Sequence, residues 1–227
     1  PEQFAYQKVL LKFSNDVLSI FGLDNILRST TNTFIDSLKL AIFGIVLKNS
    51  KKSTYELKDG VGFKDENFDL ILNEERILEL LSVKKNAKQF QVIEDSEFSQ
   101  IFVESKDKLL EEGIYTIFPL IIKSKIIGLL LFGLKYSGSR FAGKDIELLS
   151  AAANQTAVAI ENARLYELER QKMIMDHDLE NAREIQQSLL PEEIPNVSGL
   201  EISGTMIPAM QIGGDYYDII KISDTKV

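Results

Sequence analysis

The sequence of 227 residues contains no cysteine. This absence excludes disulfides, thiolate metal sites, cysteine nucleophiles and thioether-linked chromophores. Long apolar runs are also missing: stretches such as 126–133 are far shorter than the roughly 20 residues that a membrane-spanning helix needs, and no signal sequence opens the chain. We therefore expect a cytoplasmic protein.

Excess positive charge is absent too. The chain has 34 acidic and 26 basic side chains and a net charge of -8. A phosphate backbone would be repelled unless basic residues clustered, and we find no such cluster, so nucleic acid is not an expected partner. The 44% of hydrophobic residues can fill one sizeable core with an appendage, or two small domains. Because the sequence starts without Met and stops in what resembles the start of a strand, we expect a piece of a longer protein.

Apolar periodicity over the first 134 residues alternates between helix and strand. It predicts helices at 4–21, 24–38 and 67–86, a short helix within 98–110, and strands at 40–47, 54–57, 90–93, 114–122 and 126–134. The last two strands form a hairpin through Lys123-Ser124-Lys125, and Pro119 is expected at a bulge or an edge-facing position. The fold class is α+β, with a mixed sheet flanked by helices.

Residues 144–190 contain neither Pro nor Gly and predict one helix about 70 Å long at 1.5 Å per residue. From Leu165 its apolar positions fall at alternating spacings of three and four, which is the seam of a two-stranded parallel coiled coil. The proposed dimer seam comprises Leu165, Leu168, Met175, Leu179 and Ala182, with Lys172, Gln186 and Leu189 completing the register. Polar Lys172 and Gln186 weaken the pairing, so we expect a marginal homodimer through this helix, suited to a switch.

Leu190-Pro191 ends the long helix, because proline disfavours helical geometry in the residue before it. Beyond it the pattern predicts strands at 200–206 and 216–222, with Gly213-Gly214 in a tight turn. Strands with unpaired edges seek partners, so we expect them to pair with a neighbouring chain or to pack on another surface.

The predicted hairpin and the first part of the long helix contain a characteristic set of residues: Phe118-Pro119-Leu120, Ile127-Gly128-Leu129-Leu130, Phe141, Asp145, Leu148-Leu149, Ala152, Gln155, Ala157, Ala159-Ile160-Glu161-Asn162-Ala163 and Leu165-Tyr166. Through this set, the first 165 residues resemble a GAF domain. This resemblance implies a cavity for a small molecule, but the Asn-Lys-Phe-Asp-Glu motif of the cyclic-nucleotide binders is missing. The ligand and its binding residues are therefore unknown, and a ligand-free dimerisation module is an equal alternative.

A second resemblance begins at Ala182-Arg183-Glu184-Ile185-Gln186-Gln187-Ser188-Leu189-Leu190-Pro191 and continues through Pro208-Ala209 to Ile212-Gly213-Gly214-Asp215-Tyr216-Tyr217-Asp218. It is similar to the entry of bacterial type 2C-like (PPM) serine/threonine phosphatases of the RsbU and sporulation protein E kind. The resemblance implies two Mn²⁺ or Mg²⁺ ions held by carboxylates, with Asp215 as the first metal ligand and Asp218 as a metal-site or supporting residue. Further aspartates of that family lie beyond Val227, so the fragment is expected to be inactive.

These resemblances together predict three parts: a GAF sensor or dimerisation domain at 1–165, a coiled-coil linker helix at 166–191, and the first strands of a truncated PPM domain at 192–227. A regulatory switch is expected at Ile185, Gln186, Leu189, Leu190 and Pro191. The implied substrate of the full-length protein is a phosphorylated anti-sigma-factor antagonist or a similar small protein. The alternative is a non-catalytic GAF scaffold that binds a ligand or a partner.

Overall fold

A computed structural model describes residues 2–83, 90–91, 98–102, 104–139, 141 and 143–227. The chain divides into two compact units, Pro1–Arg164 and Leu165–Val227, which are described separately. Among the described residues no helix combines the length and apolar character needed to cross a membrane.

Unit 1, Pro1–Arg164, alternates helices and strands. In chain order these are α1 (Glu2–Asp16), a 3₁₀ turn (Val17–Ser19), α2 (Leu23–Leu38), β1 (Phe43–Asn49), β2 (Thr54–Val61), β3 (Asp69–Leu70), α3 (Glu74–Val83), β4 (Phe90–Gln91), α4 (Phe98–Ile101), α5 (Lys106–Glu111), β5 (Thr116–Ile122), β6 (Lys125–Phe132) and the start of α6 (Lys144–Ser188).

The strands of unit 1 lie in the order β3-β2-β1-β6-β5-β4. Every ladder among the described residues is antiparallel, so the predicted mixed sheet is wrong. Two hairpins, β1–β2 and β5–β6, explain the difference, because short turns connect only antiparallel neighbours. Pairing of β1 with β6 joins the hairpins through the most buried strands.

Helices or loops cover both faces of this sheet, as the continuous apolar runs predict. Side chains alternate between the faces: Phe43, Ile45 and Phe132 pack with α1, α2 and α6, whereas Val46 and Leu131 belong to a second cluster with residues of α3 to α5. Unit 1 therefore has two apolar cores separated by one sheet.

The predicted helix at 67–86 begins later than expected. Asp69–Leu70 pair with Glu56 and Tyr55 of β2, and the helix proper starts at Glu74. Asn73 starts the helix: its side-chain oxygen accepts the N–H of Arg76 at 3.1 Å and its carbonyl accepts the N–H of Ile77. Residues 84–86 of this prediction, and 92–93 of the predicted strand, lie outside the described residues.

The β5–β6 hairpin confirms its prediction closely. Its turn has Lys123 and Ser124 at φ of 47° and 61°. Pro119 lies opposite Leu129, and the bulge falls between Leu120 and Ile121, just beyond the proline.

Unit 2, Leu165–Val227, consists of the rest of α6 and an irregular tail. The helix ends at Ser188, two residues before the predicted end. The predicted strands at 200–206 and 216–222 are wrong for this unit: its described bridges are isolated ones, Val197 with Leu200 and Ser223 with Lys226. Alternating side chains favour an extended backbone, but a strand also requires a ladder partner.

Candidate functional site

The junction between α6 and the tail of unit 2 is held by one side chain. The Gln186 amide Nε2–H donates to the carbonyl of Gly213 at 2.7 Å, and Gln186 Oε1 accepts the N–H of Gly213 at 2.9 Å. One carboxamide therefore hydrogen-bonds to both the N–H and the carbonyl of Gly213. The partners are 27 residues apart, so this contact ties the helix to the Gly-Gly-Asp segment.

The two glycines of this loop differ in their surroundings. A Cβ at Gly213 would lie 3.2 Å from Met206 Cε, the end of a flexible side chain, and at ordinary contact distance, 3.6 Å, from Gln186 Oε1. A Cβ at Gly214 would meet nothing within 4 Å. Gly213 therefore lies against Met206 and Gln186, whereas a side chain at Gly214 would enter open space.

Burial along the part of α6 in unit 2 increases towards its end. Leu179, Ala182 and Gln186 are half-buried, whereas the helix positions between 164 and 178 are exposed. The spacing of three and four places these three residues on one face of the helix. Of the three, Gln186 is the residue whose hydrogen bonds to the tail are described.

Most of the other proposed seam and switch residues are exposed to solvent. Leu165, Leu168 and Met175 have 51%, 53% and 63% of their surfaces exposed. Ile185 and Leu189 are also exposed, while Pro191 is half-buried. The seam and the homodimer remain predictions, and of the switch residues Gln186 is the one that binds the Gly213 loop.

The two candidate metal ligands are both exposed. Asp215 follows the Gly213 contact by two residues, and Asp218 accepts the N–H of Ile219 on Oδ1 at 2.7 Å. Within the described ranges no group of three or more His, Cys, Asp or Glu is arranged to hold a metal ion. Carboxylates suit Mn²⁺ or Mg²⁺, so the donors fit in kind, but these two alone do not form a complete dimetal centre.

Ion pairs between residues three positions apart lie on the exposed surface of α6. In unit 2, Arg170 binds Glu167 through both carboxylate oxygens at 2.8 and 2.9 Å. This hydrogen bonding raises the pKa of Arg170 and lowers that of Glu167. His177 is exposed and lies 3.2 Å from the Asn181 amide, as expected for a solvated residue. These pairs stabilise the helix and leave its seam face free.

Unit 1 contains buried polar contacts that sequence reasoning missed. Tyr55 is 1% exposed, and its hydroxyl donates to Glu74 Oε1 at 2.7 Å, an oxygen that also binds Lys48. Burial, followed by the hydrogen bond and the charge of Glu74, raises the pKa of Tyr55. The Tyr55 position resembles any apolar strand position in the sequence, so no local signal identifies its partners.

Glu112 is the second missed residue. It is 6% exposed, and its carboxylate accepts the backbone N–H groups of Lys64 and Asp65 at 2.7 and 3.2 Å. The contact fixes the loop between β2 and β3. Aromatic rings, among them Phe98 and Phe102 stacked at 4.5 Å, fill the core on this side of the sheet.

The family match falls within unit 1. Residues 64–162 match the family model of the GAF domain. A comparison with curated protein sequences found no match.

Solved structures with a similar fold include the GAF domain of a phosphoenolpyruvate-protein phosphotransferase from Coxiella burnetii, with 16% identity and a TM-score of 0.53 over 72% of this chain and 96% of that chain. The equivalent Acinetobacter domain has 17% identity and a TM-score of 0.50 over 70% and 93%. A bacteriophytochrome from R. palustris has 8% identity and a TM-score of 0.56 over 79% and 42%. At these identities the likeness is one of fold. The family match and the fold together show that the chain contains a GAF domain, a regulatory domain of signalling proteins.

Proposed function

We propose that this chain is the regulatory region, and the entry to the catalytic domain, of a metal-dependent protein serine/threonine phosphatase. The GAF domain receives a signal, α6 transmits it, and the segment from Gly213 to Asp218 begins the catalytic domain. One observation carries the proposal: Gln186 and Gly213, which belong to separate parts of the phosphatase-like motif, are joined by two hydrogen bonds. A motif whose distant parts are in contact is more specific than a Gly-Gly-Asp turn alone.

The residues of this chain supply part of a dimetal centre. Asp215 offers an exposed carboxylate directly after the two glycines. Asp218 uses Oδ1 to accept the N–H of Ile219, so its other oxygen is free to orient a water. A pair of Mn²⁺ or Mg²⁺ ions would supply a water acidic enough to attack the phosphorus of a phosphoserine or phosphothreonine. The phosphatase resemblance implies further metal-binding aspartates in the catalytic domain, and the proposed substrate is a small phosphoprotein such as an anti-sigma-factor antagonist.

The test is phosphate release from a phosphoserine-containing protein by the full-length protein, measured with and without Mn²⁺. Asp215→Asn keeps the shape of the side chain and removes its charge, so we expect a loss of roughly 100-fold or more in the Mn²⁺-dependent rate. Asp224→Asn, at another exposed aspartate of the tail, is the matched control and should retain the rate. Absence of Mn²⁺-dependent release, or equal rates for Asp215→Asn and the unmodified protein, would overturn the proposal.

A second candidate is a non-catalytic GAF scaffold. The exposed apolar residues Leu165, Leu168 and Met175 favour it, since helix pairing needs no catalytic domain. A scaffold would dimerise through α6 and release no phosphate in the same assay, which separates the two functions.

A further inference from the structure

The seam of α6 differs along its length. Its first half, represented by Leu165, Leu168 and Met175, is exposed, whereas Leu179, Ala182 and Gln186 are half-buried and Gln186 binds the tail of the same unit. At the Gln186 end the covering group is identified by the bonds to the Gly213 backbone. One face of the helix is therefore free at one end and occupied at the other.

A second helix and the Gly213 loop do not fit on this face together. Helices that pack side by side have axes 8–10 Å apart, so seam side chains of one helix touch the other directly. Gln186 instead has a backbone segment at hydrogen-bond distance, 2.7 and 2.9 Å from its two amide atoms. Pairing through Gln186 thus requires that the Gly213 loop leave.

Charges beside the seam favour a second copy of the helix in parallel register, although Arg164 would have to be shared with Glu161, which it binds in the single chain. In that register Arg164 flanks Glu169 of the partner subunit, and Asp178 flanks Arg183 of the partner subunit, so both pairs have opposite charges. An antiparallel pair with the same seam would place Asp176 beside Asp176 of the partner subunit, which is unfavourable.

We propose that the helix face formed by Leu179, Ala182 and Gln186 is a shared docking surface, bound by its own Gly213 loop in the single chain and by a second copy of α6 in a parallel dimer. Dimerisation begins at the exposed half of the seam and extends to Gln186 only when the loop is released. The inference rests on the helix pairing in the proposed function. It adds that the Gly213 loop competes with this pairing at Gln186. It does not require hydrolysis, so its test is independent of phosphatase activity.

Amide hydrogen exchange of the 227-residue chain over a concentration series tests the competition. Light scattering on the same samples gives the fraction of dimer. Because the Gly213 N–H is bonded to Gln186 in the single chain, its exchange should accelerate as the dimer fraction rises, while the amides of β1 and β6 stay protected. Unchanged protection of Gly213 across the transition, or no dimer at any concentration, would overturn the inference.

A matched pair of variants gives a second readout with Gln186 intact. Gly213→Pro removes the N–H that Gln186 accepts, whereas Gly214→Pro alters the neighbouring glycine, where an added Cβ would meet nothing within 4 Å. Each dimer must release two Gly213 loops, one from each chain. Weaker docking of these loops should therefore lower the dissociation constant of the dimer by about tenfold or more in Gly213→Pro relative to Gly214→Pro. Equal dissociation constants for the two variants would contradict the competition.

Discussion

At the scale of single residues, a sheltered ion pair of unit 1 lies where α6 begins. Lys135 Nζ is 3.0 Å from Asp145 Oδ2, with side-chain exposures of 17% and 10%, and it lies 4.9 Å from the centre of the Phe141 ring. Asp145 is in the first turn of α6, where a negative charge also opposes the helix dipole. These contacts fix the start of the long helix to the end of β6.

We expect Lys135→Met to destabilise unit 1 by about 3 kcal/mol, because it leaves the Asp145 carboxylate sheltered without its cation. Urea unfolding measures the effect. Lys125→Met, at the exposed first position of β6, is the control and should change stability little. Equal losses in the two variants would show that the pair contributes no special stability.

Glu56 should make the stability of the folded chain depend on pH. Its carboxylate accepts hydrogen bonds from Lys58, Asn49 and Lys52, which lower the pKa of Glu56 to about 2 from 4.5. A lowered pKa means that the folded state favours the charged form, so this stabilisation is present above pH 4.5 and disappears as the pH falls towards about 2.

The measurement is the difference in unfolding free energy between the unmodified chain and Glu56→Gln at several pH values. The difference should favour the unmodified chain at neutral pH and shrink through this acidic window. A difference independent of pH would contradict the assignment to Glu56.

At the scale of elements, the β5–β6 turn uses residues poorly suited to its geometry. Lys123 and Ser124 both have positive φ, which side-chain-bearing residues adopt at a cost of roughly 1 kcal/mol each. Ser124→Gly should therefore stabilise unit 1 by about 0.5–1 kcal/mol in urea unfolding. Ser50→Gly, at a turn residue whose own φ is not positive, should show no gain, and a destabilised Ser124→Gly would contradict the argument.

The long helix carries the prediction of assembly. Leu168→Asp places a charge on the exposed seam and should abolish the dimer in light scattering at tens of micromolar, because a buried unpaired carboxylate is unfavourable. Ile174→Asp makes the same change on an exposed residue outside the seam and should leave the dimer intact. A monomeric unmodified chain at this concentration would refute pairing through α6.

Elements with strong local patterns were the predictable ones. The β5–β6 hairpin and the helix from Lys144 follow from apolar runs and from the absence of Pro and Gly. The start of α3 could not be predicted in this way, because Leu70 fits a helical face as well as it fits a strand that pairs with Tyr55. Local periodicity cannot distinguish these without the partner strand.

At the scale of the whole molecule, sequence reasoning located the GAF domain but not the arrangement of the candidate site. Gln186 was predicted as both a seam and a switch residue, yet its bonds to Gly213 depend on a chain reversal that no local pattern encodes. The tail strands failed for a related reason: alternation at 200–206 and 216–222 specifies which side chains share a face, not which strand they pair with.

The central claim is that α6, through Gln186, controls the position of the loop that contains Asp215. Its most direct test is the Mn²⁺ dependence of phosphate release by the full-length protein with Gln186→Ala and, as control, Gln187→Ala at the exposed neighbouring position. Loss of two hydrogen bonds should change the Mn²⁺ concentration for half-maximal rate by about tenfold in Gln186→Ala, and Gln187→Ala should match the unmodified protein. Identical Mn²⁺ dependence in all three proteins would contradict the account.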